Sequence, residues 1–232
     1  MAAHHLGFMT RLVDLFLFDL AGTTVVDDRR VEGAFLATAA EHSLPCTPEV
    51  LQAHMGCHKE EVFRILLAEA GRPTDLAPEL AERFEQAFAA SVAEKPLQAT
   101  VGAREAIDAL MRAGVLVGFT TGFSRATADL VLRSMGWSNF PSVASDEVLH
   151  GRPAPDLILA AMRKAGVSDA KRVGIAGDTP SDLQAGAAAG CAVRVGVGHG
   201  THTLEQLASA PHTHLLPTLV GLVGILGIEV TP

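Results

Sequence analysis

Residues 13–24 read VDLFLFDLAGTT, a short apolar run that stops at Asp19 and gives way to a Gly-Thr-Thr turn. A run of this length with little alternation fits a strand buried on both faces of a parallel sheet, and the acid then sits where that strand empties into a loop. Similar runs follow at 115–120 (VLVGFT), 173–176 (VGIA), 193–197 (VRVGV) and, more weakly, 214–216, with a short one near 142–144. Helical patterns lie between them at 103–113, 125–135, 156–165 and 182–189. This alternation predicts an α/β fold with a parallel sheet covered on both faces.

One stretch breaks the rhythm. Residues 31–42, 48–55, 59–70 and 76–93 have helical spacing without a convincing strand, and SLP, MGCH and GRPTD separate them. The reading is an α-helical cap at 27–98 inserted into a core made of 1–26 and 99–232. Two hinge strands, 24–28 and 94–100, are expected to carry it.

Composition narrows the setting. About half of the 232 residues are apolar and Tyr is absent, which describes a compact globular protein rather than a disordered one. The formal net charge of −8, without a long basic run, leaves no electrostatic footprint for nucleic acid. Cys46, Cys57 and Cys191 are odd in number, widely spaced and without a CxxC pair, which suits a reducing, cytoplasmic setting and argues against disulfides or zinc. The start, MAAHHLGFMTRLVD, lacks a signal-peptide h-region and cleavage site. The apolar tract 219–230 is too short and Gly-interrupted to span a bilayer and is expected to be a last helix and strand, so no membrane partner is expected.

In an open α/β sheet the ligand site forms at the carboxyl ends of the strands, and the notable polar residues fall there. Asp19 follows the first strand, Thr121 the second and Asp178 the strand VGIA, while Gly151-Arg152-Pro153 precedes the helix before it. One such Asp alone is as readily a helix cap or turn residue. Four positions in this order are harder to read that way. The histidines His199, His202, His212 and His214 lie in loops without an i, i+4 pair on a helix, which favours surface or capping roles over metal binding.

Together, DLAGTT at 19–24, FTTG at 119–122, GRPAPD at 151–156 and AGDTPSD at 176–182 resemble the haloacid dehalogenase superfamily of phosphohydrolases. The resemblance spans nearly the whole chain and implies a Rossmann-like core with a cap of the C1 type. It implies Asp19 as the nucleophile that becomes an aspartyl-phosphate. Asp19, Asp178 and the carbonyl of Ala21 would hold Mg2+, and Asp182 would position groups around it. Arg152 would supply the fixed positive charge, with Thr121 and the amide of Gly122 donating to phosphoryl oxygens. Helix capping by Thr121 and a dipole role for Asp182 stay open beside these roles.

Ala21 departs from the phosphatase pattern, in which a second Asp at that position protonates the leaving oxygen. DLAGTT, Met55-Gly56-Cys57-His58-Lys59 and GRP together resemble the phosphonatase-like hydrolases within the superfamily. That resemblance implies an imine between Lys59 and a substrate aldehyde, absorbing the electrons released when a phosphorus-carbon bond breaks, and a substrate loop of Met55, Gly56 and His58 with Phe123. Imine formation requires a neutral Lys59, so its pKa should be lowered by burial or by Arg152. Where such enzymes have a cysteine and a cap histidine this chain has Arg29 and Val62, and Phe123 replaces the usual tyrosine.

The expected substrate is therefore a small phosphonate. A phosphate monoesterase with Lys59 as a clamp and a non-catalytic binding module are the rivals. The oligomeric state is open, with the apolar cap helices as the surface for a homodimer.

Overall fold

The computed structural model describes residues 12–228. The start of the chain, read above as no signal peptide, falls mostly outside these residues, as does the end of the expected final strand. Six strands form one parallel sheet: β1 (Leu15–Phe18), β2 (Leu116–Thr120), β3 (Ser142–Val143), β4 (Val173–Gly177), β5 (Val193–Val197) and β6 (His214–Leu216), in the order β3-β2-β1-β4-β5-β6. The strand order reverses beside β1, so the ends of β1, β2 and β4 open onto one crevice.

Helices connect the strands. Four come first, α1 (Arg30–Glu41), α2 (Pro48–His54), α3 (Lys59–Glu69) and α4 (Ala77–Glu94), between β1 and β2. The others are α5 (Ala103–Arg112), α6 (Arg125–Met135), α7 (Asp156–Ala165), α8 (Pro180–Ala189), α9 (Leu204–Leu207) and α10 (Leu222–Ile225). The C-terminal tract expected as helix and strand is, where described, a 3-10 turn followed by α10.

Alternation along β1 divides the interior in two, because successive strand side chains point to opposite faces. Phe16 and Phe18 join a cluster with Ile107, Leu110, Val131 and Leu132 on one face. Leu15 and Leu17 join Leu157, Ile158 and Leu183 on the other. The first cluster runs on through Leu20, Met55 and Phe123 into the interior of α1–α4, where Phe35 packs on Phe63 and Phe84 at centroid distances of 5.1 and 4.6 Å. Each such ring contributes about 1.5–3 kcal/mol on leaving water. The apolar interior of α1–α4 is therefore continuous with that face of the sheet.

The expected hinge strands are reduced. Val25 and Ala99 form a single antiparallel bridge, with Val26 N–H donating to Gln98 and Thr100 N–H to Thr24. Lys95 and Asp28 pair beside them. The crossing to and from the helices is too brief for a ladder, and Asp28 and Arg29 leave it in the left-handed region.

Candidate active site

Local sequence places each polar side chain. Thr179 and Asp182 close a capping box at the start of α8, with Pro180 in its first turn, so the chain leaving β4 turns at Asp178. Gly22 has φ +82°, and a β-carbon there would stand 2.3 Å from Asp178 Oδ2. Only glycine fits both the turn and that approach. Asp178 is fully buried, its Oδ1 accepting from Thr23 Oγ1 at 3.0 Å and its Oδ2 from the Thr201 amide at 2.7 Å.

Arg152 lies under the site, with Nη1 2.6 Å from Asp19 Oδ1 and 2.8 Å from Asp182 Oδ1. Its Nη2 donates to the Thr120 carbonyl at 2.7 Å and to Thr120 Oγ1 at 2.9 Å. Two buried carboxylates, Asp19 and Asp182, thus meet one guanidinium, and a third, Asp178, is buried nearby. Burial, opposed by Arg152 and reinforced by Asp182, raises the Asp19 pKa to about 6. Burial and then the charges of Asp19 and Asp182 raise that of Asp178 to about 8. Burial works against the charge of Arg152, but Asp182 and Asp19 outweigh it and its pKa is raised.

This excess of negative charge fits a dication. The donors that would hold it, the carboxylates of Asp19 and Asp178 and the Ala21 carbonyl, are all oxygen, as Mg2+ requires. Among the described residues no three His, Cys, Asp or Glu side chains are grouped to hold a metal. Such an ion would therefore complete its shell from the Ala21 carbonyl and water.

Asp19, Ala21, Lys59, Met55, Gly56, Thr121, Gly122 and Phe123 line one cavity of about 20 Å3, room for about one water. Lys59 is buried at the first turn of α3, its Nζ donating to the Cys57 carbonyl at 3.4 Å. The ring centroids of Phe123, Phe35 and Phe84 stand 5.3, 5.5 and 5.7 Å from Nζ. Ring faces favour an ammonium, whereas burial and the positive end of α3 oppose it. The pKa is lowered, chiefly by burial, with Arg152 a minor contributor.

The loop 55–58 closes over the sheet. Ser181 Oγ donates to the Met55 carbonyl at 3.1 Å, and a β-carbon on Gly122 would stand 2.5 Å from the Gly56 oxygen. Thr121 Oγ1 accepts from the Phe123 amide at 3.2 Å, which leaves its own O–H to donate.

Some expectations need revision. His58 packs beside Gly151 and does not line the cavity with Asp19, because α3 turns its N-cap outward as Lys59 turns in. Asp182 grips Arg152 and Thr179, and its charge also acts directly on Asp19 and Asp178. Of the loop histidines, His199 is half-buried and His202 is buried. His199 Nε2 meets the Thr23 carbonyl at 2.9 Å and His202 is buried, because the loop after β5 folds back over Asp178. Sequence reasoning passed over Thr23, Thr120, Thr201 and the rings of Phe35 and Phe84. The doubled threonine of DLAGTT was a signal for the first.

The family model for haloacid dehalogenase-like hydrolases matches residues 13–190. A probable phosphatase, IndB, of Dickeya dadantii is 30% identical over 90% of this chain and 92% of its own length. The phosphonoacetaldehyde hydrolase of Bacillus cereus is 27% identical over 77% of this chain and 73% of its own. A solved hydrolase from Pseudomonas syringae superposes with a TM-score of 0.83 at 22% identity, covering 94% of this chain and 100% of that one. No helix among the described residues is long and apolar enough to cross a membrane.

Proposed function

Because the chain belongs to the haloacid dehalogenase-like hydrolases, we propose that it hydrolyses a small phosphonate bearing an aldehyde, of the phosphonoacetaldehyde type. The observation that carries this reading is Lys59, a buried amine of lowered pKa lining the same small cavity as Asp19. Ala21 in that cavity has no proton to give a leaving oxygen, and a carbon leaving group delocalised into an imine needs none.

On this reading neutral Lys59 adds to the aldehyde carbon and water leaves, giving a protonated imine. The Asp19 carboxylate attacks phosphorus, and the electrons of the phosphorus-carbon bond pass into the imine as an enamine. Protonation at carbon and hydrolysis release acetaldehyde and the amine. Water then cleaves the aspartyl-phosphate, so aldehyde phosphonate plus water yields acetaldehyde plus phosphate.

Arg152 holds Asp19 in line and offsets its charge. Thr121 and the Gly122 amide donate to phosphoryl oxygens. Mg2+, held by Asp19, Asp178 and the Ala21 carbonyl, would supply charge neutralisation at phosphorus. Residues 27–98 act as a cap moving over a core of 1–26 and 99–232, since a cavity of about 20 Å3 admits no substrate until the seam opens.

The test is turnover of phosphonoacetaldehyde with Mg2+, followed by borohydride trapping and mass analysis of the peptide bearing Lys59. Turnover without an adduct rules out the imine. The second reading, a phosphate monoesterase with Lys59 as a clamp, draws on the ring faces that favour an ammonium and on the name of the Dickeya relative. A Lys59→Ala variant that kept most of its rate on a phosphate ester would support it.

A further inference from the structure

A second cavity, of about 570 Å3, adjoins the reaction cavity and shares Met55 and Thr201 with it. It reaches Gly22, which abuts Asp178, and its walls come from both sides of the seam: α2 on one, Thr100 and the His199–Thr201 loop on the other. A space of this size takes a small-molecule tail that the reaction cavity cannot hold.

Its lining is strongly negative. Glu32 pairs with Arg29 and Asp28 with Lys95, whereas Asp27 and Glu49 line it without an ion pair among the described residues. Asp27 commits Oδ1 to the Val31 amide at 3.1 Å. Asp27 is half-buried in the wall of the larger cavity, and burial is the main influence that raises its pKa. His199 also lines the space, and its Nδ1 is buried without a partner.

We propose that this cavity receives a substituent that the substrate carries beside the aldehyde arm held by Lys59, and that it selects a neutral or cationic one, an ammonium above all, over a carboxylate or a second phosphate. The inference rests on phosphorus binding at Asp19. With the phosphoryl group there, a tail directed past Met55 and Thr201 enters between Asp27 and Glu49. An ammonium can donate to the Asp27 oxygen not held by Val31, and a carboxylate meets like charge at half-buried Asp27 and exposed Glu49.

The test is titration calorimetry of the full Mg2+-loaded chain with 3-aminopropylphosphonate, propylphosphonate and 2-carboxyethylphosphonate. The ammonium ligand should bind at least about tenfold tighter than the carboxylate, with the neutral one between, as one partly screened charge contact requires. Asp27→Asn, which keeps an acceptor for the Val31 amide, and Glu49→Gln, in the first turn of α2, should each shrink that ratio. Equal affinities, preference for the carboxylate, or a ratio that survives both substitutions overturns the subsite. Absence of binding by all three removes the phosphorus site and the subsite with it. None of these ligands carries an aldehyde, so a retained ratio without phosphonoacetaldehyde turnover overturns the imine reading alone.

Discussion

The α-carbon of Gly122, at the end of β2, lies so close to the carbonyl of Gly56 that an added β-carbon would stand 2.5 Å from that oxygen. The Cys57 oxygen would be only slightly farther, at 2.8 Å. This contact joins the sheet to the loop that leads into Lys59. It makes the spacing between Asp19 and Lys59 depend on two glycines.

Gly122→Ala is therefore expected to hold the seam ajar. Overpacking of this kind costs about 1–3 kcal/mol, enough to shift the closed population about tenfold. Steady-state kinetics should show kcat/KM lowered by about tenfold or more, while thermal unfolding shifts by only a few degrees. A value within twofold of the native enzyme would separate this seam from the working closed state.

Arg152→Lys should be far from conservative. One guanidinium reaches Asp19, Asp182 and Thr120 together, and an ammonium has no such fork. A fall in kcat of about 10²-fold or more is expected. Arg152→Met leaves the carboxylates buried without a counter-charge and should cost about 3–5 kcal/mol in denaturant unfolding. A stable Arg152→Met protein would mean that these acids are protonated without the arginine.

Stability without metal should fall as pH rises. Asp19 and Asp178 have folded-state values of about 6 and about 8 against 3.8, so the native state binds more protons than the unfolded one across that window. Their contribution is complete below pH 4 and is lost as pH climbs through 6 and 8. Thermal midpoints in EDTA should decline from pH 5 to pH 8, and the increment restored by Mg2+ should grow over the same range. An increment that shrinks with pH would contradict these two acids as its source.

Ala21→Asp places a proton donor in the wall of the reaction cavity. The ratio of phosphate-ester to phosphonate turnover should rise by about 10²-fold, the usual worth of a positioned acid. An unchanged ratio would mean that the proton already comes from elsewhere.

Much of this site was legible because strand ends are. Asp19, Thr121 and Asp178 each follow an apolar run, and parallel strands deliver such residues to one edge, where Arg152 joins them. The surroundings of Lys59 were not. Phe35, Phe84 and Phe123 come from α1, α4 and the loop after β2, and their convergence is a product of packing that helical spacing does not encode. The burial of His202 was missed for a related reason. A loop looks polar and solvated in sequence, whereas this one folds inward until the Thr201 amide reaches Asp178. The hinges were over-read as strands, since sequence cannot show that the pairing is limited to the bridge of Val25 with Ala99 and its two flanking hydrogen bonds.

On the proposed reading, the chamber shared by Asp19 and Lys59, about 20 Å3 in volume, would work as a turnstile. Product would leave and fresh substrate arrive only once the loop at Gly56 lifts off Gly122, so each cycle would require one excursion of the helical layer. Throughput then tracks the friction of that excursion, and a more viscous medium slows the enzyme even where the bond-breaking steps are untouched.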